Sequence, residues 1–229
     1  MNTSALQIGG QRRTTADAIF EMLRQDIVKL RLEPGAKLSE AEVASRHQVS
    51  RQPVREAFIR LSHLNLVRVQ PQRATTVRKL SSRDILNSWF LRIAIEVEVV
   101  RRGCESANAD NLKALRENIA EQQKAVQTKD GDRLHTLDYE FHHLLCKAAN
   151  CEFAYDTIAE YKSHVDRLCM LDITSTESMD ELLSDHTKIV SALQHRDIEE
   201  AVSLTRVHLS RLDTSLIVAR EKYPHYFQD

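Results

Sequence analysis

Residues 49–57 read VSRQPVREA, and this run decides the fold. Ser50 suits an N-cap, because its side-chain oxygen can accept from the free amides of a first helical turn. Pro53 falls inside that turn, where a missing N–H costs little. A helix therefore starts near Arg51. Arg51 and Arg55, four residues apart, share one face close to its N-terminus, with Gln52 beside them. Guanidinium and amide groups placed this way can bind phosphate or read guanine and adenine edges in a major groove.

Upstream, LSEAEVASRHQ from Leu38 reads as a supporting helix, with Ser39 and Glu42 at capping-box spacing and Val43 facing inward. Two helices joined by so short a turn make a helix-turn-helix. Ahead of them, Ala16 to Leu30 carries Ile19, Phe20, Leu23, Ile27 and Leu30 at helical spacing and is closed by Pro34 and Gly35. Downstream, Leu66 to Val69 and Thr75 to Val77 are short β-prone runs flanking PQRAT, which predicts a hairpin with Arg73 near its tip. The pattern is a winged helix-turn-helix over residues 14–79.

The whole chain of 229 residues carries a formal charge of −1, which hides a division. Residues 1–79 hold 14 Lys and Arg against 7 Asp and Glu, whereas residues 80–229 hold 18 against 26. The basic part can attract a phosphate backbone, and the acidic part should stay off it. The length allows two domains. Three of the four prolines lie in the first 71 residues and glycines number five, so the remainder reads as long helices. Helices are expected from Ser81 to about Cys104, then over 109–128, 131–149, 152–171, 177–195 and 197–221, an antiparallel six-helix bundle. On the first of them Ile85, Trp89, Ile93, Val97 and Val100 form the expected apolar stripe. Residues 1–13 read as a mobile tail rather than a signal peptide, and no run suits a membrane span. The four cysteines show no CxxC pair, as expected of reduced thiols in a cytoplasm.

Within the bundle, Asp138 and His142 lie four apart in LDYEFHH, His186 opens a later helix and His208 sits on the last. Three imidazoles and a carboxylate suit a divalent transition metal. Spacing alone leaves the alternative open that His142 is a satisfied core histidine and His186 a solvated one.

The stretch 14–79, including LEPGAKLSEAEVASRHQVSRQPVREAFIRLSHLNLVRVQPQRATTV, resembles the DNA-binding domain of the GntR family of bacterial transcription factors. By that resemblance Arg51, Gln52 and Arg55, with Ser50 at the helix start, match recognition-helix positions, and Arg73 matches a wing residue approaching the minor groove. Ala41 stands where many members have a DNA-contacting arginine, and Ala74 where the wing usually has glycine, so the operator sequence cannot be borrowed. Residues 80–229 resemble the FCD effector-binding domain of the FadR subfamily, through Asp138 and His142, the AAN at 148–150, the DH at 185–186 and the HL at 208–209. The resemblance implies a metal held by Asp138, His142, His186 and His208, zinc first, with nickel, manganese or iron as alternatives. Six helices resemble the VanR-like branch.

An ion with four protein ligands and open positions can accept a small carboxylate. Arg92 is a candidate second anchor for it, set against an i,i+4 pair with Glu96, and Arg167 is a weaker candidate. Asn150 reads as the N-cap of the next helix, and Cys146 as core packing. HExxH, GxSxG and phosphate-cradling glycine loops are absent, which argues against a metal hydrolase. The expected molecule is a homodimeric transcription factor, a repressor by family habit, binding a short inverted repeat in double-stranded DNA and responding to a small organic acid. A metal sensor, with the ion itself as signal, uses the same residues.

Overall fold

The computed structural model describes residues 14–70, 73–172, 176–210 and 212–228. The expected N-terminal tail lies outside them. The chain divides into two compact units, one of residues 1–27 and 35–78 and the other of residues 28–34 and 79–229.

In the first unit, α1 (Thr15–Val28) buries Ile19, Leu23 and Ile27 along one face. α2 (Glu40–Arg46) begins at Ser39, whose hydroxyl accepts from the Glu42 amide at 3.4 Å. The turn to α3 (Arg51–His63) passes through Gln48 at φ 54°, and the Val49 amide donates back to Ala44. α3 buries Val54, Ala57, Phe58 and Leu61, the i, i+3, i+4, i+7 set that docks a helix by one stripe. Ser50 occupies the N-cap position, yet its side chain makes no capping hydrogen bond, so the first-turn amides are left to other acceptors.

The wing has one strand more than expected. β2 (Val67–Arg68) and β3 (Thr75–Val77) pair antiparallel, and β1 (Lys37–Leu38) pairs with the other edge of β3, giving the order β1-β3-β2. Two residues carry no readable alternation, which is why β1 escapes a sequence reading. Gly35, at φ 89°, lets the chain turn into β1 while its amide donates to Val77.

The second unit is helical: α4 (Ser82–Ser106), α5 (Ala109–Gln127), α6 (Gly131–Ala148), α7 (Tyr155–Asp172), α8 (Thr176–His195), α9 (Ile198–Ser210) and α10 (Leu212–Lys222). The stretch expected as one helix over 197–221 comprises α9 and α10, with residue 211 between them outside the described set. Ser81 caps α4 through the Asp84 amide at 3.2 Å. α4 packs against α6, α7, α8 and α9, and α5 against α6 and α8. A core of Val100, Leu115, Phe141, Ile158, Ile189 and Leu193 fills the centre.

Two expectations need correction. The face α4 buries is not the one its apolar residues suggested. Ile85, Ser88, Arg92, Glu96 and Val99 point inward, while Trp89, Ile93 and Val97 are only half-buried and Phe90 is exposed. An ion pair has displaced the hydrophobic stripe by part of a turn. Asn150, at φ 52°, closes α6 and does not open the next element. Its amide donates to Lys147 and the Cys151 amide to Cys146, a left-handed helix ending for which Asn is a favoured residue.

Candidate functional site

The first unit presents the N-terminal half of α3 to solvent. Arg51, Gln52 and Arg55 are exposed on the side opposite Val54, Ala57 and Phe58. Arg55 is held in place. Its Nε and Nη2 donate to the two carboxylate oxygens of Glu40 at 3.2 and 3.1 Å, a bidentate pair that aims the guanidinium along the helix surface. Gln52 donates to Glu56 at 3.1 Å. Arg73 is exposed in the wing beside residues 71–72, which lie outside the described set. Because α3 carries the sequence-reading candidates, Arg51→Ala and Arg55→Ala are each expected to weaken specific DNA binding by about 1–3 kcal/mol. Gel-shift titration on a defined operator checks this, and unaltered affinity in both variants would discard the assignment.

In the second unit, α6, α8 and α9 bring Asp138, His142, His186 and His208 together, and one donor atom from each lies within 4.8 Å of all the others. Ligands about 2.1 Å from a common ion stand about 3.0–4.2 Å apart, so the widest pair needs only a small inward shift. The helical spacing of Asp138 and His142 stacks them on one face, and Phe141 stacks flat on the His186 ring with centroids 3.9 Å apart. Asp138 Oδ1 lies 3.4 Å from both His142 Nε2 and His186 Nε2. Asp138 Oδ1 and His186 Nε2 are buried without a hydrogen-bond partner among the described residues. Buried polar atoms left this way are costly in a dry interior, and a shared cation would satisfy them.

Around the four lies a charged layer. Glu96 stands 2.6 Å from His142 Nδ1 and accepts from Arg92 Nε at 2.7 Å, all three side chains being nearly inaccessible. Arg92 Nη2 is 3.4 Å from His142 Nε2. Lys162 on α7 binds the second oxygen of Asp138 and donates to Asp166 at 2.7 Å, and Asp166 also meets His135 at 3.1 Å. Lys162 leaves Asp138 one oxygen for the centre. Every buried Asp, Glu, Lys and Arg among the described residues belongs to α4, α6, α7 or α8. Arg167 is buried on α7.

Burial raises the Asp138 carboxyl, but Lys162 and His142 outweigh it and hold the group well below the usual carboxylate range. Burial likewise opposes the charged form of Glu96, and Arg92 and His142 overcome it. Burial first, then His208, pushes His186 well below 6.5, and burial lowers His208 as well. Both therefore offer neutral lone pairs, the form a metal requires. Burial also opposes the charged form of His142, but Glu96 and Asp138 reverse this and raise it. In the metal-free protein, as pH falls through 6.5 the unfolded His186 and His208 take protons that the folded ones refuse, so stability falls. His142 acts oppositely, its contribution being complete below 6.5 and lost as pH rises through its folded value. His186→Leu is expected to lose less stability than the parent between pH 7.5 and 5.5, as read from urea midpoints; equal losses would remove His186 from this role.

The sequence pointed to the four ligand candidates and to Arg92, and the structure brings these five together. It did not point to Lys162 or Asp166. The i,i+4 spacing of Lys162 and Asp166 was the only available signal, and it is equally that of a solvated pair.

Comparison with known proteins now bears on both units. Residues 15–77 match the model of the bacterial regulatory proteins of the gntR family, and residues 88–211 match that of the FCD domain. The chain belongs to the GntR family. It is 37% identical over 211 residues to the HTH-type transcriptional repressor RspR of Escherichia coli K12, covering 92% of each chain. It is 30% identical over 215 residues to an uncharacterized HTH-type transcriptional regulator in an unstable DNA locus of Streptomyces ambofaciens, covering 94% of this chain and 90% of that one. In fold it is similar to E. coli McbR/YncC, with a TM-score of 0.79 at 19% identity over 92% of this chain and 99% of that one. This GntR member is thus a DNA-binding transcriptional regulator with an FCD domain, not an enzyme. No helix among the described residues is long and apolar enough to cross a membrane.

Proposed function

We propose that this GntR regulator is a homodimeric repressor whose affinity for a short inverted repeat is set by a small organic acid bound at a metal centre in the FCD domain. The observation that carries the reading is the convergence of Asp138, His142 and His186, buried, with half-buried His208, and with Asp138 Oδ1 and His186 Nε2 left without a hydrogen-bond partner among the described residues. These residues would hold a divalent transition metal, zinc first among nickel, manganese and iron, by their one carboxylate and three imidazoles. When bound, the ion supplies coordination positions open to carboxylate oxygens.

Arg92 supports an anionic ligand. Its Nη2 stands 3.4 Å from His142 Nε2, so a dication among the four donors would face a guanidinium in a poorly screened interior. An anion shared between the two cations relieves that repulsion, and Arg92 keeps its orientation because Nε is committed to Glu96. Arg167, buried on α7, is a further cation that would favour an anion. Arg51, Gln52, Arg55 and Arg73, with Ser50 at the helix start, would make the DNA contacts, and two-fold protein symmetry would match the repeat. Acid binding then shifts the population of DNA-competent dimers by its differential affinity for the two states.

Calorimetric titration of small carboxylates into metal-loaded and chelator-stripped protein tests the reading. Binding of one acid that requires the metal supports it. Metal uptake with no acid bound would favour a regulator for which the ion itself is the signal, and no metal uptake would remove the centre altogether.

A further inference from the structure

α5 contributes no ligand to the cluster, yet it sends two buried amides into it. Gln122 and Asn118 are four residues apart on one face, with relative exposures of 0% and 4%. Asn118 Nδ2 donates to the Leu137 carbonyl at 3.1 Å, Gln122 Nε2 donates to Asn118 Oδ1 at 2.6 Å, and Gln122 Oε1 stands 2.9 Å from His186 Nδ1. The direction of this chain is not free. A backbone carbonyl can only accept, so Asn118 must present its NH2 to Leu137 and its oxygen to Gln122. Gln122 must then donate with its NH2 and turn its own oxygen to His186. The last member can satisfy that oxygen only by carrying its proton on Nδ1, which leaves the lone pair on Nε2, the atom 3.4 Å from Asp138 Oδ1.

We infer that Gln122, oriented by Asn118, is a positioning residue that selects the Nδ1–H tautomer of His186 and so makes it a metal ligand through Nε2. This rests on the metal reading given above. Phe141 fixes the plane of the ring and Gln122 fixes which nitrogen faces inward. The relay starts at the residue preceding Asp138 and ends on His186, so it also ties α6 and α8, two of the three ligand-bearing helices, through α5. Stability alone does not ask for it, since replacing both partners of a buried hydrogen bond by apolar groups of like shape is often nearly neutral. A metal ligand does ask for it, because imidazole ligands commonly need their second nitrogen held by an acceptor.

The test uses the full chain. Long-range 1H–15N spectra of the metal-free protein are expected to show His186 protonated at Nδ1. Gln122→Leu should lose that preference and bind Zn2+ about 10–100-fold more weakly. Gln122→Glu keeps an acceptor facing His186 but loses the donor to Asn118 Oδ1, so it should retain the Nδ1–H tautomer and bind Zn2+ more tightly than Gln122→Leu. An Nε2–H tautomer in the parent overturns the inference even if the leucine variant fails to fold. So does unchanged affinity in Gln122→Leu, or a glutamate variant as weak as the leucine one, which would assign Gln122 to packing. If the parent itself takes up no Zn2+, the metal reading fails first and this inference falls with it.

Discussion

In the double variant His142→Ala/His208→Ala, bound metal is expected to fall from one ion per chain to background while the helical circular dichroism is largely kept. Outer-layer changes around a metal typically cost about 10–100-fold in affinity, and removing two direct donors should far exceed that. The remaining pair, Asp138 and His186, comes from two helices and cannot enclose an ion by itself. Helix content should survive because the core of Val100, Leu115, Phe141, Ile189 and Leu193 lies beside the site and is untouched. Metal analysis after gel filtration reads the outcome. Full occupancy in the double variant would mean that the ligands are other residues.

Arg92→Ala is expected to destabilise the protein by about 3–5 kcal/mol, the usual cost of removing one partner of a buried ion pair. Glu96, with 3% side-chain exposure, would be left with His142 alone as its neighbour of opposite charge. Against a total stability of about 5–15 kcal/mol this is a large fraction. Urea unfolding measures it, and a loss below about 1 kcal/mol would resemble an exposed pair and show that Glu96 has no need of the guanidinium. Arg92→Lys separates the two roles of this residue. It keeps the charge and loses the planar fork, so it should lose less stability yet weaken the response to the acid more than DNA binding. An unchanged response curve would confine Arg92 to the ion pair.

Much of this architecture could be read from residue order because its signals are local. The cap at Ser39, the apolar spacing of α1 and the polar breaks between helices all act within a turn or two. The pair Asp138 and His142 shares a helix face by spacing, His186 and His208 were named beside them from residue type, and the family resemblance is what joined the four into one ligand set. What was not legible depends on which neighbour covers a side chain. Trp89 and Ile93 looked like the core face of α4, but the charged layer around the cluster calls Arg92 and Glu96 inward and turns the helix accordingly. Gln122 lies in AEQQKA, a run no different from a solvated helix surface until α6 and α8 close over it. Lys162 is hidden for the same reason, since a lysine is normally read as exposed and this one is 3% accessible. β1 depends on a partner strand 38 residues away.

The most direct test of the central claim is the affinity of the purified protein for DNA from its own upstream region, titrated with small carboxylates with and without a chelator. Release of the DNA by one acid, prevented when the metal is removed, is the expected result. An acid that releases the DNA equally well from chelated protein would contradict the claim, because the cluster of Asp138, His142, His186 and His208 would then have no part in the response.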